Sequence, residues 1–199
     1  MNRVGVLKNY IMETQTTLMS FLISLIEPAD DMTVRALLLL AFVVSEDEIL
    51  QTICIQMNAV PLLLKMLARI KEMDSSLCTR YLEGGLLLVS ALSAINEDCR
   101  KSIVDSKLLM VIVDALSHPE MEIRLASSQC ARNLSRSVKN LRTSLFDAGI
   151  VTPLMKLLND PVLSVQSTAC ATLCNMVLEF TPLKKVEPSN HVIMLMICS

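Results

Sequence analysis

Residues 142–161 read RTSLFDAGIVTPLMKLLNDP, and residues 100–119, placed 42 positions earlier, read RKSIVDSKLLMVIVDALSHP. The two stretches align without a gap. Arg142 falls on Arg100, Leu145 on Ile103, Asp147 on Asp105, Val151 on Leu109, Leu158 on Leu116 and Pro161 on Pro119. The register holds further on, with Val165 on Ile123, Asn175 on Asn133 and Met176 on Leu134. Self-similarity at a fixed step of this size is the signature of a stacked repeat, in which one unit cannot cover its own apolar face.

The same unit extends toward the N-terminus with one change of spacing. MNAVPLLLKML at residues 57–67 resembles AGIVTPLMKLL at 148–158, a shift of 91, which is two steps of 42 plus seven. Glu27-Pro28 precedes His118-Pro119 by the same 91. The surplus falls at the polar stretch 69–76, which reads as a lengthened loop. Ankyrin and tetratricopeptide units are shorter, at about 33 and 34 residues; a period near 42 with helical patterning is that of armadillo and HEAT solenoids.

Each unit reads as three helices. In the last complete one, residues 138–146 form a short helix with Leu141 and Leu145 four apart. Gly149 breaks it, since glycine takes a left-handed backbone without Cβ strain. Residues 150–158 follow, with Pro153 in the first turn, where a missing N–H is tolerated. Asn159-Asp160-Pro161 then turns the chain into a third helix over 164–179. The same trio is expected in 46–71 followed by 77–95, and in 97–116 followed by 121–138. Gly84-Gly85 inside a helix costs about 1 kcal/mol each relative to alanine, and the expected reason is a close helix approach or a kink. The expected fold class is therefore all-α, a right-handed α-solenoid of three-helix repeats. Its divisions are a frayed segment over 1–12, about four units over 13–182 with the first and last partial, and an aberrant, poorly ordered tail over 183–199. Both ends read as unfinished, as in a piece of a longer solenoid.

Composition agrees. Apolar residues make up 52%, but aromatics only 3%, with no Trp; leucine, methionine and alanine suit helix-on-helix packing, whereas strands draw on aromatic and β-branched side chains. The net charge of −2 gives no general attraction to nucleic acid or anionic lipid. Mean hydropathy is +0.51, yet the longest uninterrupted apolar run, residues 36–44, has nine residues, and a membrane-spanning helix needs about 20. The seven cysteines, an odd number in mostly apolar helices, read as reduced thiols of a cytosolic or nuclear protein.

Catalytic chemistry finds little support. The two histidines, His118 and His191, lie in a turn and in the tail, and a serine or cysteine nucleophile needs a base in reach. Cys170 and Cys174 share a helix face, but a zinc site needs about four ligands and no second pair stands at ligand spacing. Asp30-Asp31 and Glu46-Asp47-Glu48 sit at helix starts, where carboxylates favour the positive end of the dipole. No cofactor, metal, small-molecule substrate, nucleic acid or membrane is expected. A protein-binding face is. Gln129, Arg132, Asn133 and Arg136 share one helix face by their spacing of three and four, and Asn175 repeats Asn133. An asparagine amide both donates and accepts, so it can clamp an extended backbone, and arginine pairs with carboxylates.

The stretches 58–63 and 147–158 look like the armadillo signature. More narrowly, Ile123-Arg124-Leu125-Ala126, Asn133–Val138, Leu141–Ser144, Pro153–Lys156 and the run 173–182 resemble the armadillo subunits of the CTLH ubiquitin ligase, the complex called GID in yeast. The resemblance is specific over about 96–182, weaker over 21–95 and absent after Lys185. It implies a non-catalytic adaptor of cytoplasm and nucleus that attaches a substrate receptor to the ligase scaffold for proteasomal degradation. The alternative is a peptide or cargo carrier of the importin or catenin kind; the tryptophan that importins place four residues before the groove asparagine is replaced here by Gln129 and Ala171.

Overall fold

The computed structural model describes residues 3–27, 30–69, 75–137 and 139–177. Eleven α-helices are assigned among them: α1 Arg3–Ser24, α2 Asp31–Val44, α3 Glu48–Gln56, α4 Ala59–Arg69, α5 Ser75–Leu92, α6 Glu97–Val104, α7 Leu108–Ala115, α8 Met121–Ser135, α9 Lys139–Asp147, α10 Val151–Leu157 and α11 Leu163–Val177. No strand occurs among the described residues. From α3 on, the order is short, short, long, repeated three times, which is the expected trio. The tail over 183–199, including His191 and Cys198, lies outside the described residues.

One expectation needs correcting. The first helix does not begin near Glu13 after a frayed segment; it starts at Arg3. No proline lies between Arg3 and Ser24, and an established helix extends by one hydrogen bond per added residue at little cost.

Two compact units, Met1–Ser102 and Ile103–Ser199, divide inside α6. In the first, α2 packs along α5, α1 along α2 and α3, and α4 against α3 and α5. Leu37, Leu40, Val44, Leu63, Tyr81, Leu88 and Leu92 are buried there. In the second, α8 packs along α11, with α7 and α9 against α8 and α10 against α11. Ile112, Ile123, Leu134, Leu145, Leu154 and Leu173 form its interior. Each large aliphatic side chain so buried contributes about 1.5–3 kcal/mol.

Local chemistry sets the helix ends. Asp30 caps α2: its carboxylate accepts from the Met32 and Thr33 N–H groups, and Thr33 Oγ1 accepts from the Asp30 N–H. Asp47 accepts from the Leu50 N–H, and Asn96 from the Cys99 N–H, each at three residues' distance. The acidic pairs flagged in the sequence thus hold helix starts. The bend of 67° between α3 and α4 follows Asn58, which takes φ +60°, a region asparagine enters more readily than most residues. Gly149 takes φ +78° at the matching place after α9. There the Gly149 N–H donates to the Phe146 carbonyl and the Ile150 N–H to that of Leu145, a Schellman ending.

The glycine pair marks a close approach. A Cβ on Gly84 would stand 3.3 Å from Leu37 Cβ, and one on Gly85 3.2 Å from Leu67 Cδ2. The same register, 42 and 84 residues later, holds Ala126-Ser127 and Thr168-Ala169, all buried, so small side chains recur where one long helix lies against its neighbours. Among the described residues no single helix is both long and apolar enough to cross a membrane.

Candidate protein-binding face

Every first helix of a trio carries a long polar side chain at one register, and each brackets the C-terminal end of a long helix. Gln51, buried in α3, donates through Nε2 to the Val44 and Ala91 carbonyls at 3.0 and 2.9 Å, while its Oε1 accepts from the Asn96 N–H at 3.1 Å. Arg100 in α6 donates to the Ser93 carbonyl at 3.0 Å and pairs with Glu97. Arg142 in α9 donates to the Asn175 carbonyl at 3.5 Å. The last carbonyls of a helix lack intrahelical donors and carry the negative end of its dipole, so amide and guanidinium N–H groups suit them.

The Arg142 bracket holds the end of α11, and with it one residue of the face read from the sequence. Gln129, Arg132 and Asn133 lie on α8, and Arg136 is its C-cap. Arg132 and Arg136 are exposed, while Gln129 and Asn133 are half-buried. Neither arginine forms an ion pair among the described residues. The fifth residue, Asn175 on α11, is brought to the same region: its Nδ2 donates to Ser135 Oγ at 3.0 Å, and that hydroxyl donates to the Arg132 carbonyl at 2.7 Å. All five candidates therefore belong to one packed helix pair. Asn175 is tied twice, through its amide to α8 and through its carbonyl to Arg142. This fixes its orientation and leaves the amide oxygen as its acceptor. Ser135 was not singled out in the sequence; the signal was its place 40 residues before Asn175 on a neighbouring helix of the same register.

A second polar link, also absent from the sequence reading, lies at the other end of the pair. Arg124 at the start of α8 grips Asp160 in the turn before α11, with Nε 2.6 Å from Oδ2 and Nη2 3.2 Å from Oδ1. The Arg124 hydrogen bond holds the Asp160 carboxyl below its usual range and raises the guanidinium in turn. Other candidates take ordinary places. His118 Nδ1 accepts from the Glu120 N–H within its turn. Cys170 and Cys174 are half-buried on α11, and no group of three or more metal-ligating side chains assembles among the described residues. A shallow open depression lined by Phe146, Gly149, Val151, Thr152, Met155, Lys156 and Asn159 shares none of the five residues.

Residues 140–178, which coincide with α9–α11, match the armadillo/beta-catenin-like repeat. The chain is built of armadillo repeats. The fold has solved counterparts: the designed armadillo repeat protein YIII(Dq)4CqI superposes with a TM-score of 0.71 at 20% identity over 79% of this chain and 63% of that one. A second design, YIII(Dq.V1)4CPAF in complex with peptide (KR)4, gives 0.69 at 16% identity, covering 79% and 63%. Sequence relatives are more specific. The armadillo chain is 35% identical to GID complex subunit 5 of Schizosaccharomyces pombe over 207 residues, which span 92% of this chain and 26% of that protein. It is 39% identical to armadillo repeat-containing protein 8 of Danio rerio over 133 residues, 65% of this chain and 20% of the relative. The chain thus spans about a quarter or less of the length of these relatives.

Proposed function

We propose that this armadillo chain is a non-catalytic scaffold segment of a CTLH (GID) E3 ubiquitin ligase, linking a substrate receptor to the ligase scaffold for proteasome-dependent degradation in cytoplasm and nucleus. The observation that carries this reading is the 35% identity to GID complex subunit 5 across 92% of the chain. The α8–α11 face supplies a place for a partner. Two exposed arginines, a half-buried glutamine and two asparagines lie on one helix pair, and amides with guanidinium groups recognise an extended backbone bearing carboxylates. A designed relative of the fold was solved in complex with the basic peptide (KR)4; Arg132 and Arg136 favour the opposite charge here.

Affinity purification of the full-length native protein tests the reading. RING and scaffold subunits of the ligase are expected in the eluate, and recovery of none of them sinks it. The double variant Arg132→Glu, Arg136→Glu should release the partner while leaving the helical circular dichroism unchanged, because both side chains are exposed. Unchanged affinity in the assembled complex removes the α8 face from the reading and leaves the family assignment standing.

A further inference from the structure

Lys65 in α4 and Lys156 in α10 stand at one register, 91 residues apart, but their surroundings differ. Lys65 Nζ lies 2.8 Å from Glu27 Oε1, and Arg69 Nη1 donates to the Glu27 carbonyl at 3.3 Å. Ninety-one residues beyond Glu27 stands His118, and beyond Arg69 stands Asp160. His118 Nδ1 accepts from the Glu120 N–H, and the Asp160 carboxylate is taken by Arg124. Lys156 is exposed and joins none of the ion pairs among the described residues. The unit between them holds Asp114 at this register, which repels a carboxylate. Of the three aligned positions, only Lys156 is a lysine without its carboxylate.

Lys156 borders the depression of about 590 Å³ between α9 and α10. Its apolar part is Phe146, Val151 and Met155, all half-buried. Gly149 opens it: a Cβ there would meet nothing within 4 Å, whereas the two earlier units carry Asn58 and Lys107 at this register. The volume falls in the range of ligand sites, roughly 300–1,000 Å³. The depression is open, however, and a small-molecule site encloses most of its ligand's surface. A protein segment instead brings its own surface to exclude the water. An exposed lysine–carboxylate pair adds little by itself, so the apolar contact supplies the affinity and the charge supplies the choice of partner.

We propose that this depression docks an acidic segment of a partner protein, which sets an aspartate or glutamate against Lys156 and a neighbouring large apolar side chain against Phe146, Val151 and Met155. The site is built by the two short helices of the last unit. It shares no residue with the α8–α11 face and does not depend on the ligase reading.

The test uses the full chain and a displayed library of random twelve-residue peptides. Selection should enrich peptides in which an acidic residue lies close to a large apolar one. Their affinity, measured by fluorescence anisotropy, should fall at least tenfold for Lys156→Glu and weaken as salt is raised. It should also fall for Gly149→Asn, which narrows the depression. Asparagine already holds the equivalent backbone at Asn58, with φ +60°, so this variant keeps the turn; circular dichroism checks that both variants stay helical. Replacing the acidic residue of an enriched peptide by lysine is expected to restore binding to Lys156→Glu. The proposal is overturned by no enrichment of acidic and apolar neighbours, or by equal affinity for wild type and Lys156→Glu. It is also overturned by a loss for Arg132→Glu, Arg136→Glu as large as that for Lys156→Glu, which would put the peptides on α8. Because no ligase subunit is present, failure of the ubiquitin-ligase reading leaves this outcome unaffected, and the two fail separately.

Discussion

Arg124 and Asp160 stand 36 residues apart in sequence and 2.6 Å apart in space, joining the first turn of α8 to the turn that launches α11. Arg124 also donates to the His118 and Pro119 carbonyls, and Asp160 accepts from the Val162 N–H. Both side chains are largely buried. Removing one partner leaves the other charge stranded, which costs about 3–5 kcal/mol when burial is complete. Arg124→Ala is expected to lose about 3 kcal/mol in urea denaturation. The pH dependence has a definite sign. The folded carboxyl sits below its reference value of 3.8, so the unfolded chain binds the proton more readily. The pair's contribution is complete above the unfolded pKa and disappears as pH falls through the lower folded one. The stability difference between wild type and Asp160→Asn should therefore shrink in acid; a difference constant from pH 7 to 2 would show that the pair does not titrate as described.

Gln51 makes three hydrogen bonds with one buried amide. Gln51→Leu strands the Val44 and Ala91 carbonyls and the Asn96 N–H, and about 2–4 kcal/mol should be lost, since each buried group left unsatisfied costs about 1–3. Gln51→Glu should be worse than its volume suggests, because an ionised carboxylate cannot donate to either carbonyl. Equal stability of the two variants would argue that water replaces the amide.

The neighbouring glycines should respond oppositely to alanine. At Gly84 the new methyl meets Leu37 Cβ at 3.3 Å, an atom fixed to its backbone. At Gly85 it meets Leu67 Cδ2 and Met66 Cε, the mobile ends of side chains. Gly84→Ala is expected to destabilise by about 1 kcal/mol through overpacking. Gly85→Ala should be neutral or stabilise by up to about 1 kcal/mol through helix propensity. Thermal melts of the two variants decide this, and a common sign would refute the distinction.

Burial should silence two thiols. Desolvation pushes Cys54 up to about 11 and Cys99 up to about 12, so at pH 8 only about one in a thousand Cys54 groups is thiolate. In the folded chain, iodoacetamide should label the half-buried Cys78, Cys170 or Cys174 and spare Cys54 and Cys99, as read by peptide mass mapping. Raised thiol pKa values also mean that the folded state holds these protons more tightly. Their contribution is full below pH 9 and declines as pH climbs toward the folded values.

Much of this architecture is legible in the residue order. The step of 42, the breaks at Gly149 and Asn58, the caps Asp30, Asp47 and Asn96, and the small residues at Gly84, Ala126 and Thr168 are local or periodic signals. Each follows from what a single residue does to its own backbone or from which face a helix buries. The five residues proposed for docking were picked out in the same way, by a spacing along one helix and its recurrence one unit later. The start of α1 was not, because no stop signal separates residues 3–12 from the patterned helix that follows.

Periodicity, caps and turn residues determined the all-helical repeat, its helix order and the register of its faces, since these depend on interactions within a few residues. Tertiary structure alone decided which polar side chains meet across the repeats: Arg124 with Asp160, Gln51 with Ala91 and Asn175 with Ser135. Such pairs join residues 36 to 40 positions apart and depend on interhelical distance and rotamer, quantities that no periodic pattern carries.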